Sequence, residues 1–586
     1  MKNSFISKIV FLLASAFGLA SAITDIETAV HTGYDLMTIR PTTFEPPVGG
    51  MEFLPDGKLL VLTWRGSLGP EKPFMDPYTK YGDLYEVSGV QGTDRNAITV
   101  KKIADGFKDA LGILYVDGTI YVGDIDRLIK LVDNNGDGYF ETKETFAKIP
   151  AYNAWFEFAF GPIFKDGKFY MSLCGPVLPG GMSQSAKGPG RSTVLSIDMQ
   201  GKIEYIAGGF RAPNKLANGP EGEMFLMDNQ GVWEPSSKLV HVRSNTNFGY
   251  RIDPPNEFSS LPVSPPAVWI PYGVLNSSAT EPTMMPTGLY KNQFFFGDVK
   301  RPGIRRTFIE KVKGVWQGAA FPFSGGTESG IHRIRIDANG VIYMGGLGRD
   351  VWENWNGKTF GLQKLTPNGK KVFEMLAVRS RKNGMEIEFT QPVGTAADQA
   401  GQYKIETAVM IPGPAYGEGN MMNKQNLTVK SATVSTDRMR VFLEITGLTT
   451  DPMGRVVHIT VPSLTSQDSK ALWFNETWYT LNVISDSDPF APDPVEIKKS
   501  SPPIMDKGLI AQKLSSIQYQ FQAPWQSGGT LRITDLRGKN MFQGSLDEQG
   551  ICRVDVSSWT RGIYTVTAMG KLSASRLNLA VSGSGN

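Results

Sequence analysis

The sequence predicts an all-β protein: a six-bladed β-propeller, then an immunoglobulin-like β-sandwich and a small C-terminal β-sandwich. The main observation is a short phrase that occurs six times, a tight turn followed by about six β-branched, aromatic or aliphatic residues. Glycine adopts the positive φ that such turns need. The six copies are PDGKLLVLT (55–63), VDGTIYVGD (116–124), KDGKFYMSL (165–173), PEGEMFLMD (220–228), YKNQFFFGD (290–298) and ANGVIYMGG (338–346).

A second strand follows each phrase across a polar loop. The copies lie about 50 to 70 residues apart, which is enough for one four-stranded antiparallel sheet each. Paired short strands that repeat at this interval are typical of propeller blades, so six copies predict six blades. The propeller is predicted over 23–372, and the segment Ala29–Ile39 is a candidate strand for closing the ring.

After residue 372 the pattern changes to strands with period-two alternation and without the turn phrase, as in RVVHITV (455–461). This pattern predicts an immunoglobulin-like sandwich over 373–485. The proline-rich and charged segment 486–509 is predicted to be an extended linker. Residues 510–586 then form one more small all-β module.

The N-terminus has the pattern of a secretory signal peptide, predicted over 1–22. Lys2 and Lys8 flank the start of an apolar run (9–19) that is too short to span a bilayer, and the triplet ASA (20–22) follows. The rest of the chain has no stretch of the length a membrane span needs, so the sequence predicts an exported protein without a transmembrane segment. The net charge of +3, from 60 basic and 57 acidic residues, gives no basic stripe for nucleic acid.

Two cysteines and four histidines limit the chemistry that the sequence can support. Cys174 and Cys552 fall in different predicted domains, so a structural disulfide is not expected. No CxxCH motif for covalent haem is present. No two histidines have the spacing of a zinc site.

The segment DNNGDGYFETKE (133–144) matches the calcium-loop pattern D-x-N-x-D-G-x5-E. Its flanks resemble strands rather than the helices of an EF-hand. Short Asp/Asn/Gly turns also connect hairpins, so a plain turn is the alternative. The predicted calcium ligands are Asp133, Asn135, Asp137, the Tyr139 carbonyl and Glu144.

Polar residues just after each phrase are expected to gather around one end of the central channel, because each phrase turns from the innermost strand into the second. Such a funnel would suit a polar, flat or ring-shaped ligand. The alternative is that propeller loops are polar because water surrounds them. The predicted funnel residues are Trp64, Arg65, Asp124, Asp126, Arg127, Trp155, Glu157, Arg211, Asn214, Asp228, Asn229, Gln230, Trp233, Asp298, Lys300, Arg301, Glu328, Arg349, Asp350 and Trp352.

The C-terminal segments ITDLRGK (533–539), DVSSWTRGIYTV (555–566) and SRLNLAV (575–581) resemble, in order and position, the C-terminal sorting domain of the bacterial type IX secretion system. The resemblance implies export to the periplasm, recognition by the type IX secretion machinery, and release or attachment at the cell surface.

The propeller segments 210–242, 265–273 and 297–334 resemble soluble glucose/sorbosone dehydrogenase-like quinoproteins, especially extracellular relatives that carry an immunoglobulin-like domain. The resemblance implies a funnel that holds pyrroloquinoline quinone, with a histidine as general base on a sugar hydroxyl. The R-x-P-N element and the DNQGVW loop after it would supply the cofactor-binding residues, which are Arg211, Asn214, Asn229 and Trp233.

The histidine that the family pattern requires is missing, because the chain has Phe156-Glu157-Phe158 where relatives read His-Glu-Phe. His332, two residues into the innermost strand of the sixth blade, is the candidate replacement, with Asp228 as a further catalytic candidate. The alternatives are a histidine packed between blades and an aspartate that caps a turn.

Two functions therefore stay open from the sequence. One is an exported quinoprotein that oxidises a sugar or sugar-like alcohol. The other is a non-catalytic surface propeller that binds carbohydrate or a partner. Hydrolase or lyase chemistry has only the general supply of acidic residues in its favour.

Overall fold

The computed structural model describes residues 25–64, 82–152, 157–177, 188–348, 355 and 357–491, and seven segments of the C-terminal region (510–513, 518–522, 529–535, 539–547, 549–559, 562–569 and 574–581). The predicted signal peptide and most of the predicted linker lie outside these ranges, as do Arg65, Trp155, Phe156, Arg349, Asp350 and Trp352. Contacts group the chain into one compact unit that ends at Ala491 and a second that begins at Pro492. In these ranges no helix has the length and apolar character needed to cross a membrane.

The first unit contains the predicted six-bladed propeller, in which the four strands of each blade pair antiparallel. Strand β1 (Tyr34–Thr38) comes first, followed by β2 (Val48–Phe53), β3 (Leu59–Thr63), β4 (Gly82–Ser88) and β5 (Thr99–Phe107) in blade one, and by β6 (Gly112–Val116), β7 (Thr119–Asp124), β8 (Arg127–Val132) and β9 (Thr142–Lys148) in blade two. Blade three has β10 (Ala159–Lys165), β11 (Lys168–Leu173), β12 (Thr193–Ile197) and β13 (Ile203–Gly208); blade four has β14 (Pro213–Asn218), β15 (Met224–Asp228), β16 (Ser237–Val242) and, after the short β17 (Thr246–Asn247) that pairs in parallel with β13, β18 (Val268–Ile270). Blade five has β19 (Thr283–Met284), β20 (Phe294–Gly297), β21 (Ile304–Val312) and β22 (Val315–Ser324), and blade six has β23 (Ile331–Ile336), β24 (Ile342–Leu347) and β25 (Phe360–Pro367).

The repeated phrase forms the turn and second strand of each blade, as the sequence predicts. Gly57 takes a φ of 85°, and in the fifth copy Asn292 takes the same left-handed conformation with a φ of 65°. The strands after these turns are almost wholly buried, since neighbouring blades pack on both of their faces. Strand β1 pairs with β25, from Tyr34 opposite Pro367 to Thr38 opposite Gln363, and so closes the ring from the N-terminal side.

The sandwich continues the sheet of blade five. Strand β22 pairs with the last sandwich strand, with Gly318 opposite Thr480 and Ala320 opposite Trp478, so that β19 to β22 and the sandwich form one eleven-stranded sheet. The sandwich strands are β26 (Met375–Arg381), β27 (Gly384–Phe389), β28 (Lys404–Val409), β29 (Met422–Val434), β30 (Arg440–Thr446), β31 (Arg455–Thr460) and β32 (Glu476–Leu481).

The second unit is a small all-β module with its own core of residues such as Phe521, Leu531 and Val566. Its strands are β33 (Ile510–Lys513), β34 (Gln518–Gln522), β35 (Thr530–Asp535), β36 (Asn540–Ser545), β37 (Ile551–Asp555), β38 (Gly562–Met569) and β39 (Ala574–Val581). They form two sheets with the orders β33-β34-β37 and β36-β35-β38-β39. In the described ranges, helical structure is limited to four short 3₁₀ turns, at Arg95–Ala97, Pro220–Gly222, Thr395–Asp398 and Ala400–Gln402.

Candidate functional site

The innermost strands of all six blades surround the central channel and run in the same direction, so the two ends of the channel can be told apart. We call the end where these strands begin the upper mouth and the end where they finish the lower mouth. The upper mouth, where the sequence predicts the funnel, has a cavity of about 60 Å³, room for only a few water molecules. Its described lining is Trp64, Leu111, Phe158, Phe160, Ala212, Asn214, Asn229, Ser278, Val299, His332 and Leu347.

Apolar side chains form much of the described lining of the upper cavity, and each blade supplies at least one of them. They pack together as one buried cluster of Trp64, Leu111, Phe158, Phe160, Cys174, Ala212, Val299 and Leu347. The described lining of this cavity contains no acid or arginine, while Arg65, Arg349 and Asp350 of the predicted funnel lie outside the described residues. Polar residues do follow the strands at this end, but most of them bind the protein's own backbone or each other.

Three buried aspartates show how polar side chains at this end bind the protein's own backbone. Asp124, Asp228 and Asp298 each end or follow the second strand of a blade. Each accepts a backbone N–H from the segment that enters the innermost strand of the same blade: Asp124 Oδ1 from Asp109 at 3.0 Å, Asp228 Oδ1 from Ala212 at 2.9 Å, and Asp298 Oδ2 from Ser277 at 2.6 Å. These carboxylates hold the blade ends together, which is the turn-capping alternative.

The candidate catalytic residue Asp228 is placed accordingly. Its Oδ2 accepts the Arg211 N–H at 3.1 Å, and its Oδ1 also accepts the Asn229 N–H at 3.0 Å. Burial raises the pKa of Asp228, and the neighbouring Lys238 and the N–H groups of Arg211 and Ala212 oppose that rise. Asp228 does not line the upper cavity.

Other predicted funnel residues form ion pairs with near neighbours. Arg301 Nε lies 2.6 Å from Glu27 Oε1, and Glu328 Oε1 lies 2.9 Å from Arg40 Nη2. These ion pairs partly neutralise the charges of Arg301 and Glu328, and neither residue lines the cavity.

Arg211, predicted to contact the cofactor, lies beside the cavity rather than in its lining. The side chain is buried and crosses Gly231 so closely that a Cβ there would sit 1.8 Å from Arg211 Nε. Its guanidinium carbon lies 5.3 Å from the centre of the Tyr416 ring. Tyr416 belongs to the sandwich, so a second domain covers the predicted cofactor-binding loop.

The covering segment, 411–421, makes several further contacts with that loop. Trp233 N–H donates to the Gly413 carbonyl at 2.8 Å, and Gly417 N–H donates to the Gly231 carbonyl at 3.0 Å. The Trp233 ring faces the Arg251 guanidinium at 4.1 Å and does not line the cavity. Sequence reasoning missed this cover because nothing in either local sequence indicates a contact between residues so far apart in the chain.

Asn214, Asn229 and His332 are the predicted site residues that the structure does bring together at the upper cavity. Asn214 Oδ1 accepts a hydrogen bond from Arg333 Nη1 at 2.9 Å, and Asn229 Nδ2 donates to the Ala212 carbonyl at 3.3 Å. His332 is buried, and its Nδ1 lies 2.9 Å from the Val48 carbonyl. A neutral imidazole that donates from Nδ1 carries its lone pair on Nε2, so Nε2 is the basic nitrogen of this ring.

The residues described at the upper cavity do not by themselves supply the partners that pyrroloquinoline quinone needs, and the predicted cations Arg65 and Arg349 lie outside the described residues. A planar polyanionic quinone needs cationic partners and a pocket of a few hundred Å³. The cavity holds about 60 Å³, and no cation is among its described lining residues.

Arg333 separates the two mouths. Its side chain is fully buried and reaches other blades, since Nε donates to the Gly49 carbonyl of blade one at 2.8 Å and Nη2 donates to the Leu111 carbonyl of blade two. With its bond to Asn214, one side chain from blade six therefore connects the inner strands of blades one, two and four.

The lower mouth is a wider cavity of about 600 Å³, with a charged cluster at its base. The cluster comprises Glu52, Lys215, Glu281, Arg333 and Arg335, in which Lys215 Nζ and Arg335 Nη1 each lie 2.6 Å from Glu281 Oε1. No sequence prediction included this mouth. The available signal was the presence of charged residues inside buried strands, as in IHRIRI (331–336) and PNKLAN (213–218).

The acidic side chains that the structure brings together in the calcium-like loop differ by one residue from the predicted ligands. Carboxylate oxygens of Asp133, Asp137 and Glu141 all lie within 4.8 Å of one another. Glu144 instead lies on β9, where its carboxylate is 3.4 Å from Lys130 Nζ. Chain direction explains the difference, because the loop ends as β9 begins at Thr142 and the strand then carries Glu144 away.

No protein-family model matches the chain, and no curated protein matches it by sequence. Among solved structures, the chain is similar to a PQQ-bound aldose sugar dehydrogenase from Streptomyces coelicolor (13% identity, 58% of this chain and 99% of that one, TM-score 0.41). It is also similar to a putative oxidoreductase (glucose dehydrogenase) from Thermus thermophilus (13% identity, 57% and 100%, TM-score 0.39). PorZ, a surface component of the type IX secretion system of Porphyromonas gingivalis, matches 92% of this chain over 61% of its own length (11% identity, TM-score 0.22).

Proposed function

We propose that this protein is an exported propeller that binds a carbohydrate at its upper mouth and does not use a quinone cofactor. The observation that carries the proposal is the apolar cluster at the described upper mouth, to which every blade contributes. Among the described lining residues, the polar side chains besides Trp64 are Asn214, Asn229, Ser278 and His332, and none of them is a fixed cation.

The chemistry of this mouth suits the end of a sugar. Trp64, Phe158 and Phe160 present aromatic surface, which packs against the apolar face of a pyranose ring. The Asn229 amide and the His332 ring can exchange hydrogen bonds with hydroxyl groups. A cavity of about 60 Å³ admits a hydroxymethyl group or one edge of a ring, so we propose recognition of a glycan terminus.

A second candidate function is oxidation of a sugar-like alcohol, and one observation favours it. His332 is among the residues that line the cavity, and Nε2, its basic nitrogen, is the group that could accept a hydroxyl proton. The two electrons would need an acceptor, and the described lining offers no cationic partner for an anionic one.

We also propose that the second unit directs the protein to the cell surface through the type IX secretion machinery. The sequence motifs of 533–581 and the predicted signal peptide support this proposal. Cell fractionation of a chain that ends at Ala491 tests it.

Titration calorimetry tests the proposed ligand class. We expect no heat from pyrroloquinoline quinone with Ca²⁺, and binding of one or more oligosaccharides from a panel of bacterial and host glycans. Asn229→Ala should weaken that binding by about tenfold, the effect of losing one hydrogen bond in a buried site. The exposed Asn339→Ala is the matched control. Micromolar quinone binding together with sugar-dependent dye reduction would establish the second candidate instead.

We further propose that the 133–141 loop binds Ca²⁺ in a structural role. Hydrogen bonds from backbone N–H groups, led by that of Gly138, lower the pKa of Asp133, so this carboxylate is ionised at neutral pH. Asn135 Oδ1 and Asp137 Oδ1 accept further loop N–H groups at 2.9 and 2.8 Å, which holds the ligands in place.

Equilibrium dialysis with radioactive calcium tests this site. We expect Asp137→Ala and Glu141→Gln each to remove one bound ion per chain, because both replace an oxygen ligand of a hard cation. Glu144→Gln should leave the bound calcium unchanged, since this carboxylate faces Lys130. Loss of calcium in Glu144→Gln but not in Glu141→Gln would restore the ligand set predicted from the sequence, and unchanged calcium in all three variants would reduce the loop to a turn.

A further inference from the structure

The lower mouth has the form of a ligand-binding site that is separate from the proposed glycan site. Its cavity of about 600 Å³ lies within the usual range for small-molecule sites. Residues from the innermost strands of all six blades line it, and Arg333 closes it from the upper mouth. Its wall includes partly exposed apolar residues, among them Leu114, Phe164 and Met284.

The charges at its base do not balance. Three cations (Lys215, Arg333 and Arg335) face two carboxylates (Glu281 and Glu52), while Asp117 lies at the exposed rim where water screens its charge. Burial alone would raise the pKa of Glu281, but Arg335, Lys215 and Arg333 outweigh it and lower that pKa to about 2. Since a buried net charge is costly, a bound anion would stabilise this cluster.

Two polar atoms in this cluster have hydrogen-bonding capacity left, Arg335 Nη2 and Glu281 Oε2. Arg335 Nη1 is held by Glu281 at 2.6 Å and by the Ile334 carbonyl at 2.7 Å, whereas Nη2 has only a long contact of 3.4 Å, to Glu52, among the described residues. Glu281 Oε2 is buried, accepts no hydrogen bond from the described residues and lies 3.7 Å from Arg333 Nε.

The backbone at this site is also specialised. Lys215 is fully buried and takes a left-handed φ of 70°, at an irregularity in the pairing of β14 with β15 between Pro213 and Leu216. A lysine in this conformation costs energy, and such strain is kept where the surrounding structure requires it. The irregularity aims the lysine into the channel, where its Nζ meets Glu281.

We propose that the lower mouth binds a small monocarboxylate with an apolar body. The carboxylate would accept hydrogen bonds from Arg335 Nη2, taking the place of the Glu52 side chain, and the apolar body would pack against Leu114, Phe164 and Met284. Planar guanidinium groups suit carboxylates, and an apolar wall with a few fixed polar groups is the usual form of a small-molecule pocket.

Calorimetry with the full-length protein tests this site. The probes are benzoate, 4-phenylbutyrate and octanoate, each paired with its uncharged amide. We expect at least one acid to bind with a Kd between about 10 μM and 1 mM, and its amide to bind at least about tenfold more weakly because the charged hydrogen bond is lost. Asn229→Ala, at the other mouth, should not change this binding, which separates the result from the proposed glycan function.

Two substitutions are expected to change the affinity for the acid in opposite directions. Glu52→Gln removes the competing carboxylate and should tighten binding of the acid several-fold, an outcome that misfolding cannot imitate. Arg335→Gln should weaken it by about tenfold or more. Glu204→Gln, an exposed carboxylate paired with Lys168 on blade three, is the matched charge control. Absence of binding by all three acids, equal binding of acid and amide, or unchanged or weaker binding by Glu52→Gln would overturn the proposal.

Discussion

Arg333→Ala is expected to destabilise the protein by about 3–5 kcal/mol, the largest effect of any single substitution at the channel. The Arg333 guanidinium is fully buried and donates to the Gly49 and Leu111 carbonyls and to Asn214. Alanine would leave these acceptors without this donor and would also leave Glu281 with one cation fewer. Burial lowers the pKa of Arg333 to about 9 against the opposing effect of Glu281, so the side chain is charged at neutral pH and its loss removes a charge.

Urea unfolding followed by tryptophan fluorescence measures this effect. Arg333→Lys should fall between wild type and alanine, because lysine keeps the charge but not the planar fork that reaches several carbonyls. Arg243→Ala, on the exposed end of blade four, should stay within about 0.5 kcal/mol of wild type. An alanine variant at residue 333 as stable as the wild type would show that the inner strands of the blades hold together without this connection.

The propeller could be predicted from the sequence because its signals are local. Each turn phrase sets its own hairpin, and even the copy without glycine at the turn keeps the left-handed conformation, at Asn292. The closing strand was predictable from its position, since the segment Ala29–Ile39 precedes the first phrase and the ring needs one more strand.

The connection between propeller and sandwich could not be predicted in this way. Ala320 pairs with Trp478, and no feature of either local sequence identifies its partner. The change of pattern near residue 373 indicates a new domain, but it does not indicate that the new domain continues the sheet of blade five.

The candidate site was predictable only in part, for a related reason. The sequence places polar residues at the ends of strands, but it does not show what they bind. Asp228 is occupied by backbone N–H groups and Arg211 lies beneath Tyr416, whereas Asn214 and His332 do reach the cavity. The charged lower mouth was missed because Lys215 and Arg335 lie within strands that the alternation pattern treats as simple propeller core.

Ending the chain after residue 372 is expected to prevent stable folding of the propeller, although all six blades would still be present. The core between blades four and five is completed by the sandwich residues Trp473, Phe474 and Trp478, which pack with Phe296 and Trp316. Removal of a buried tryptophan or phenylalanine costs about 3–5 kcal/mol, so the loss of several exceeds the stability of an ordinary domain.

The same truncation also uncovers a strand edge. Strand β22 would lose its partner β32, and an unpaired apolar edge promotes association between chains. Hydrogen bonds from Trp269 N–H to Thr480 Oγ1 at 2.7 Å and from Trp473 Nε1 to the Phe323 carbonyl at 2.7 Å would be lost as well. We therefore expect the shortened chain to be insoluble or to form aggregates.

A chain that ends at Ala491 is the matched control, because it keeps every contact of the first unit and loses only the second. We expect it to give soluble protein with the far-UV circular dichroism of a β protein and resistance to trypsin at low protease ratios. In a host with type IX secretion, it should be folded yet retained in the periplasm, because it lacks 510–586. Soluble, protease-resistant protein from the chain that ends at residue 372 would contradict the prediction, since it would mean that blade five is stable without the sheet that the sandwich adds to it.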